Sequence, residues 1–157
     1  MDRLEYIRIQ VDTIIEHIQD PMTRRLAYTH TYGVSNNAAL LATLRHLDHE
    51  LACISAMLHD LSIYAENHPH RTHAKRSAQL AKELLTSCGL FCEREIQQLT
   101  FAIANHSNKL EHGSDALSEL LKDADTLEHY LYNPNIKYPP NESHRLYAIL
   151  EELKKNK

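Results

Sequence analysis

Apolar residues return every third or fourth position along most of this chain. Leu4, Ile7, Val11, Ile14, Ile15 and Ile18 form one such row, Leu40, Leu41, Leu44 and Leu47 a second, and Leu51, Ile54, Leu58 and Leu61 a third. That spacing gathers each row on one face of an α-helix, a face that is stable only when buried against neighbours. Ala74, Ala78, Ala81 and Leu85 continue the series, and Gly89 follows as a helix stop. Further helices are predicted over 93–105, 114–132 and 142–154. No run alternates Val, Ile or Thr with polar residues, so strands have no place. The pattern predicts an all-α fold, a single compact helical domain of about six or seven helices spanning residues 1–157.

Composition agrees with this reading. The only glycines are Gly33, Gly89 and Gly113, too few for the turns of a many-stranded sheet. No repeat or Pro/Gly/Ser-rich linker divides the chain, and the Pro/Asn-rich stretch 133–141 reads as a late loop. A formal net charge of −4 argues against extended nucleic acid as the main partner, which calls for a basic surface. A small phosphorylated ligand needs only a local cationic pocket. The start MDRLEYIRIQ has neither the basic nor the apolar part of a secretory signal. No apolar run approaches the roughly 20 residues that span a bilayer. The expected location is the cytoplasm, with no membrane partner and reduced thiols at Cys53, Cys88 and Cys92. Cys88 and Cys92 are expected to pack in the core rather than to pair across Gly89.

Polar residues set into apolar rows point to chemistry. His30 follows Leu26 and Ala27 by four and three residues, which turns its ring to their face of a helix. His59 and Asp60 close the apolar run ACISAMLHDL. Asp123 and Asp125 interrupt the stripe Leu117, Leu120, Leu121, Ala124, Leu127 and Leu131. Inward carboxylates are costly unless paired or bound to a cation. Periodicity cannot choose between Asp123 and Asp125, which flank the stripe by about 100° on either side. His106 extends the row Ile96, Leu99, Ile103, so its ring should face a pocket. His73 sits beside His68 and His70 in an expected loop before a helix, and Lys109 follows His106 by three residues.

In order along the chain these residues resemble the HD-domain superfamily of metal-dependent phosphohydrolases, whose signature is a His, a distant His-Asp pair and a distant Asp. Here it reads as His30 in AYTHTYGV, His59 and Asp60 in AMLHDLSIY, and Asp125 in LLKDADTLEHY. The resemblance selects Asp125, in an Ala-Asp-x-Leu pattern, and leaves Asp123 behind the site or at the surface. It implies that His30, His59, Asp60 and Asp125 hold a divalent metal ion. It further implies that His73 and His106 bind a second ion or the substrate phosphate, with catalytic roles for Asp60 and His106. Lys109, three residues after His106, has the charge to neutralise that phosphate, or else is a solvated charge at the helix end.

Two imidazoles and two carboxylates suit Mn²⁺, Fe²⁺, Co²⁺, Ni²⁺, Zn²⁺ or Mg²⁺, as one ion or two. The implied activity is hydrolysis of a phosphate ester or anhydride in a small, nucleotide-like substrate, with metal-activated water as nucleophile. A helix turns about 100° per residue, so His59 and Asp60 can reach one ion only from its flank or where it ends. Two readings compete with the enzyme: a non-catalytic nucleotide or metal sensor with the same pocket, and an interaction module built on the tail LEHYLYNPNIKYPP. In that tail Tyr130, Tyr132 and Tyr138 serve equally as a lid. Arg24 and Arg25 are an ordinary charge pair, and a homodimer is compatible with the sequence.

Overall fold

The structure is a computed structural model and describes residues 2–113, 115–135, 137 and 140–155. Eight helices follow one another: α1 (Arg3–Glu16), α2 (Pro21–Arg45), α3 (His49–Leu58), α4 (Leu61–Glu66), α5 (His73–Cys88), α6 (Glu93–Asn105), α7 (Ala116–Tyr132) and α8 (Pro140–Lys155). Among the described residues there is no strand, and no helix is long and apolar enough to cross a membrane. The eighth helix arises because the row Leu51 to Leu61 is not continuous. The chain leaves α3 at Leu58 and re-enters a helix of under two turns at Leu61.

Local chemistry explains the boundaries. Asp2, Asp20, Asp48 and Asp115 cap α1, α2, α3 and α7, each side chain accepting a backbone N–H of the first turn. Pro21 opens α2, where its missing N–H is harmless. Gly89 ends α5 with φ 66°, as the sequence predicts.

Every residue of α3 from Leu51 to Leu58 is buried, and the helix packs against α1, α2, α5, α6 and α7. A helix apolar all round has to be central. Its small residues Ala52, Ser55 and Ala56 let neighbours approach closely. The long α2 packs on α3 and α7. Its middle is hard to read in sequence, because Thr31, Ser35 and Asn37 are buried polar groups that break the apolar row. Asn37 is satisfied by donating to the Ala124 carbonyl at 3.3 Å. Gly33 lies inside α2, where glycine costs about 1 kcal/mol relative to alanine.

Some expected core positions lie outside it. Leu40 and Leu131 are 46% and 60% exposed, since each row is wider than the face its helix buries. Of the cysteines only Cys53 is buried; Cys88 is half-buried, and Cys92 is exposed because it occupies the N-cap of α6.

A buried charge network ties α8 to α7 and to the segment after α6. Arg145 donates to Asp123 at 2.8 Å, to Glu119 at 2.9 Å, and to the carbonyls of Lys109 at 2.8 Å and Glu111 at 2.7 Å. Arg45 of α2 pairs with the other Asp123 oxygen at 2.8 Å and with Glu152 at 2.7 Å. Asp123 is therefore a structural anchor, and the backbone of Lys109 is pinned from behind.

Candidate metal centre

Helix ends bring most of the candidate residues together. His59 is the C-cap of α3, Asp60 precedes α4, His73 begins α5 and His106 is the C-cap of α6. His30 comes from the middle of α2 and Asp125 from α7. The break after Leu58 is what lets adjacent His59 and Asp60 point into one space. His59, Asp60, His73, His106, Lys109 and Asp125 are all buried.

Four rings share one orientation. His59 Nδ1 donates to the Ala56 carbonyl at 2.6 Å, His106 Nδ1 to the Ile103 carbonyl at 2.7 Å and His73 Nδ1 to the His70 carbonyl at 2.5 Å. The first two use carbonyls in the last turn of their helices, where the usual partner four residues on is missing. His30 Nδ1 donates instead to Glu128 Oε2 at 2.6 Å. With Nδ1 protonated in every ring, the neutral imidazoles all turn an Nε2 lone pair inward. These lone pairs meet in twos: His30 and His59 at 3.1 Å, His73 and His106 at 2.9 Å.

Asp60 stands between the pairs. Its Oδ2 lies 3.5 Å from both His30 Nε2 and His59 Nε2, and its Oδ1 lies 2.9 Å from His73 Nε2 and 3.4 Å from His106 Nε2. Asp125 Oδ1 lies 3.5 Å from His30 Nε2 and 3.9 Å from His59 Nε2. Yet Asp60 Oδ1 and Asp125 Oδ1 accept no hydrogen bond, although buried. Orphaned carboxylate oxygens facing converging lone pairs are donors that could hold a cation. His30, His59 and Asp125 bring their ligand atoms within 4.8 Å of one another, and so do His59, Asp60 and His106.

The electrostatics fit the same occupant. Burial pushes Asp60 and Asp125 up, but the surrounding rings, and Lys109 beside Asp125, outweigh it and hold both carboxyls well below the usual range. Burial drives His59 down to about 4, so it stays neutral. His30 is also pushed down by burial, but hydrogen bonds to Asp60 and Glu128 and the charge of Asp125 lift it to about 10. Within the protein alone, a second proton on His30 balances the surplus of carboxylate.

A cavity of about 420 Å³ opens onto the cluster. Leu26, Ala27, Ile63 and Tyr64 form an apolar side, and His30, Asp60, His73, His106, Lys109 and Asp125 all line it. Leu26 is 40% exposed because its face of α2 borders this cavity rather than the core. Lys109 Nζ pairs with Asp125 Oδ2 at 2.5 Å and donates to the Lys122 carbonyl at 3.2 Å. Arg24, Arg25, Tyr130 and Tyr132 do not line the cavity, and Tyr138 lies outside the described residues.

Sequence reasoning missed three residues. Glu128 and His129 stand three and four residues after Asp125 on the same face of α7, a spacing that could have exposed them. His129 stacks on His30 with ring centroids 5.3 Å apart and meets Glu142 Oε2 at 3.1 Å through Nδ1. Glu142 comes from α8 and carries no signal in its local pattern.

The structure is similar to a solved structure of a predicted HD superfamily hydrolase from an uncultured Thermotogales bacterium. The TM-score is 0.63 at 21% sequence identity, over 93% of this chain and 88% of that one. Comparison with curated proteins gives no significant match. Residues 27–130 match the HD domain family, a stretch that contains His30, His59, Asp60 and Asp125. The chain belongs to the HD domain family.

Proposed function

We propose that the protein is a metal-dependent phosphohydrolase acting on a phosphate ester or anhydride in a small, nucleotide-like substrate. The observation that carries this reading is Asp60, whose two oxygens serve two pairs of inward Nε2 atoms. Membership of the HD domain family and the name of the Thermotogales protein support hydrolysis as the activity.

His30, His59, Asp60 Oδ2 and Asp125 would hold one divalent ion, and His73, His106 and Asp60 Oδ1 a second. The second position suits a cation better than a phosphate, since two lone pairs and a carboxylate oxygen repel an anion. A bound divalent ion acidifies coordinated water toward a pKa of about 7 and screens phosphate charge. The chain's own groups supply the rest. Lys109 offsets the charge of Asp125 while lining the cavity, which keeps a cation beside an incoming phosphate. Leu26, Ile63 and Tyr64 exclude water from one side and offer an apolar surface to a base or similar group. The cavity falls in the roughly 300–1,000 Å³ range of small-molecule sites.

The test is phosphate release from nucleoside mono-, di- and triphosphates by protein loaded with Mn²⁺, beside elemental analysis of the protein as isolated. Turnover that disappears with chelator is expected. Tight nucleotide binding by metal-loaded protein without any phosphate release would make it a sensor and overturn the enzyme reading.

A further inference from the structure

We propose that Glu128 is the positioning residue for His30, and that Gly33 is the gap in α2 through which it reaches the ring. The inference rests on the metal reading given above. His59, His73 and His106 each have Nδ1 fixed by a carbonyl three residues earlier. His30 has no such carbonyl, because it lies inside α2, where carbonyls are engaged by the helix itself. A side chain has to take over. Glu128 Oε2 does so at 2.6 Å from His30 Nδ1, and Glu128 is buried. A lone pair on Nδ1 would face that carboxylate unfavourably. The proton therefore stays on Nδ1, and the Nε2 lone pair is turned toward His59, Asp60 and Asp125.

Gly33 follows His30 by one turn. A Cβ there would lie 2.7 Å from Glu128 Cγ, 3.3 Å from Oε1 and 3.4 Å from Cδ. Cγ is held near the α7 backbone and cannot swing away like a side-chain tip, so the carboxylate would be driven off the ring. Gly33 has no positive φ, and backbone conformation gives no reason for glycine. Its helix-weakening presence is explained by space.

Calorimetric titration with Mn²⁺ tests this in the wild type, Glu128→Ala, Glu128→Gln, Gly33→Ala and the Gly33→Ala/Glu128→Ala double variant, each checked for helical content. Glu128→Ala should bind about 10- to 100-fold more weakly at unchanged stoichiometry. Glu128→Gln should recover part of the loss, since its amide oxygen still accepts from Nδ1. Gly33→Ala should match Glu128→Ala, and the double variant should be no weaker than Glu128→Ala, because the glycine acts through the glutamate. Unchanged affinity in folded Glu128→Ala overturns the proposal, as do additive losses in the double variant. A stoichiometry lowered by one also overturns it, because Glu128 would then be a ligand in its other grouping with His30 and His129. If Gly33→Ala does not fold, graded recovery by Glu128→Gln supports the proposal and equal loss in both Glu128 variants sinks it. A wild type that takes up no Mn²⁺ fails at the metal reading itself, before the variants are compared.

Discussion

His73 and His106 present their Nε2 atoms to each other at 2.9 Å, although each ring donates its Nδ1–H to a backbone carbonyl. Two neutral rings so arranged have no proton to share. The contact gains free energy only when something positive lies beside it, and the neighbouring group is the orphaned Oδ1 of Asp60. His30 and His59 face the other oxygen with Nε2 atoms 3.1 Å apart, and they present two lone pairs in the same way once a cation takes the place of the second proton on His30. The site is thus two half-sites joined by one carboxylate.

That bridge makes Asp60 more sensitive than any ring. Asp60→Ala should weaken Mn²⁺ binding at both positions by at least about 100-fold and abolish turnover. His106→Ala should lower the metal content by one ion and spare the other. Elemental analysis of both variants, purified side by side, decides the matter. Two ions retained in His106→Ala would remove His106 from the metal and return it to the role of a core histidine.

Asp123 and Asp125 differ by two positions and should differ in kind. Asp125→Asn should reduce metal content, because its Oδ1 faces His30 and His59. Asp123→Asn should leave metal binding intact and lower stability by about 2 kcal/mol, since Arg145 and Arg45 lose a charged partner but keep Glu119 and Glu152. Metal titration and denaturant melts of both variants check this. Greater metal loss in Asp123→Asn would mean that the signature has been placed two residues out of register.

The helical class was legible because apolar rows at helical spacing recur from Leu4 onward and only three glycines interrupt them. The course of α2 was not, because its buried face uses the polar residues Thr31, Ser35 and Asn37, and the contact that satisfies Asn37, the Ala124 carbonyl of α7, is invisible to periodicity. At the site, His30, His59 and Asp60 stand out as polar insertions in apolar rows, whereas the rows admit Asp123 as readily as Asp125 and only the resemblance to the HD-domain superfamily selects Asp125. The helix break at Asp60 was open, since either geometry satisfies the same letters. Glu128 could have been found from its spacing to Asp125, but Gly33 could not. Its meaning depends on a contact with α7 that spans 95 residues of chain.

Acid should act on the network behind the site before it acts on the core. Burial pushes the Glu119 carboxyl up, but Lys122 and Arg145 outweigh that and hold it below its ordinary value of 4.5. The unfolded chain then takes up this proton at higher pH than the fold does. The stabilisation is complete above about pH 4.5 and is lost as pH falls through the lower folded value. Thermal melts of the wild type should drop as pH falls below about 4.5. Glu119→Gln should melt lower than the wild type at pH 7 and show a shallower acid slope. An acid slope identical in the two proteins would refute this account of the network.

Metal should also act as a folding ligand, because the converging lone pairs and carboxylate oxygens exist only in the folded chain. An ion present at 100 times its dissociation constant stabilises by about 2.7 kcal/mol. For a protein of this size that corresponds to a rise in Tm of roughly 5–10 °C. Melts with excess chelator and with Mn²⁺ should differ by about that amount in the wild type. They should nearly converge in Asp60→Ala, which removes the carboxylate that stands between both pairs of inward Nε2 atoms. The comparison within each variant cancels the packing loss that the substitution brings by itself, so the ion's share is read directly. Equal melting of the wild type with and without Mn²⁺ would leave the cluster with no cation to hold, and the hydrolase reading would fall with it.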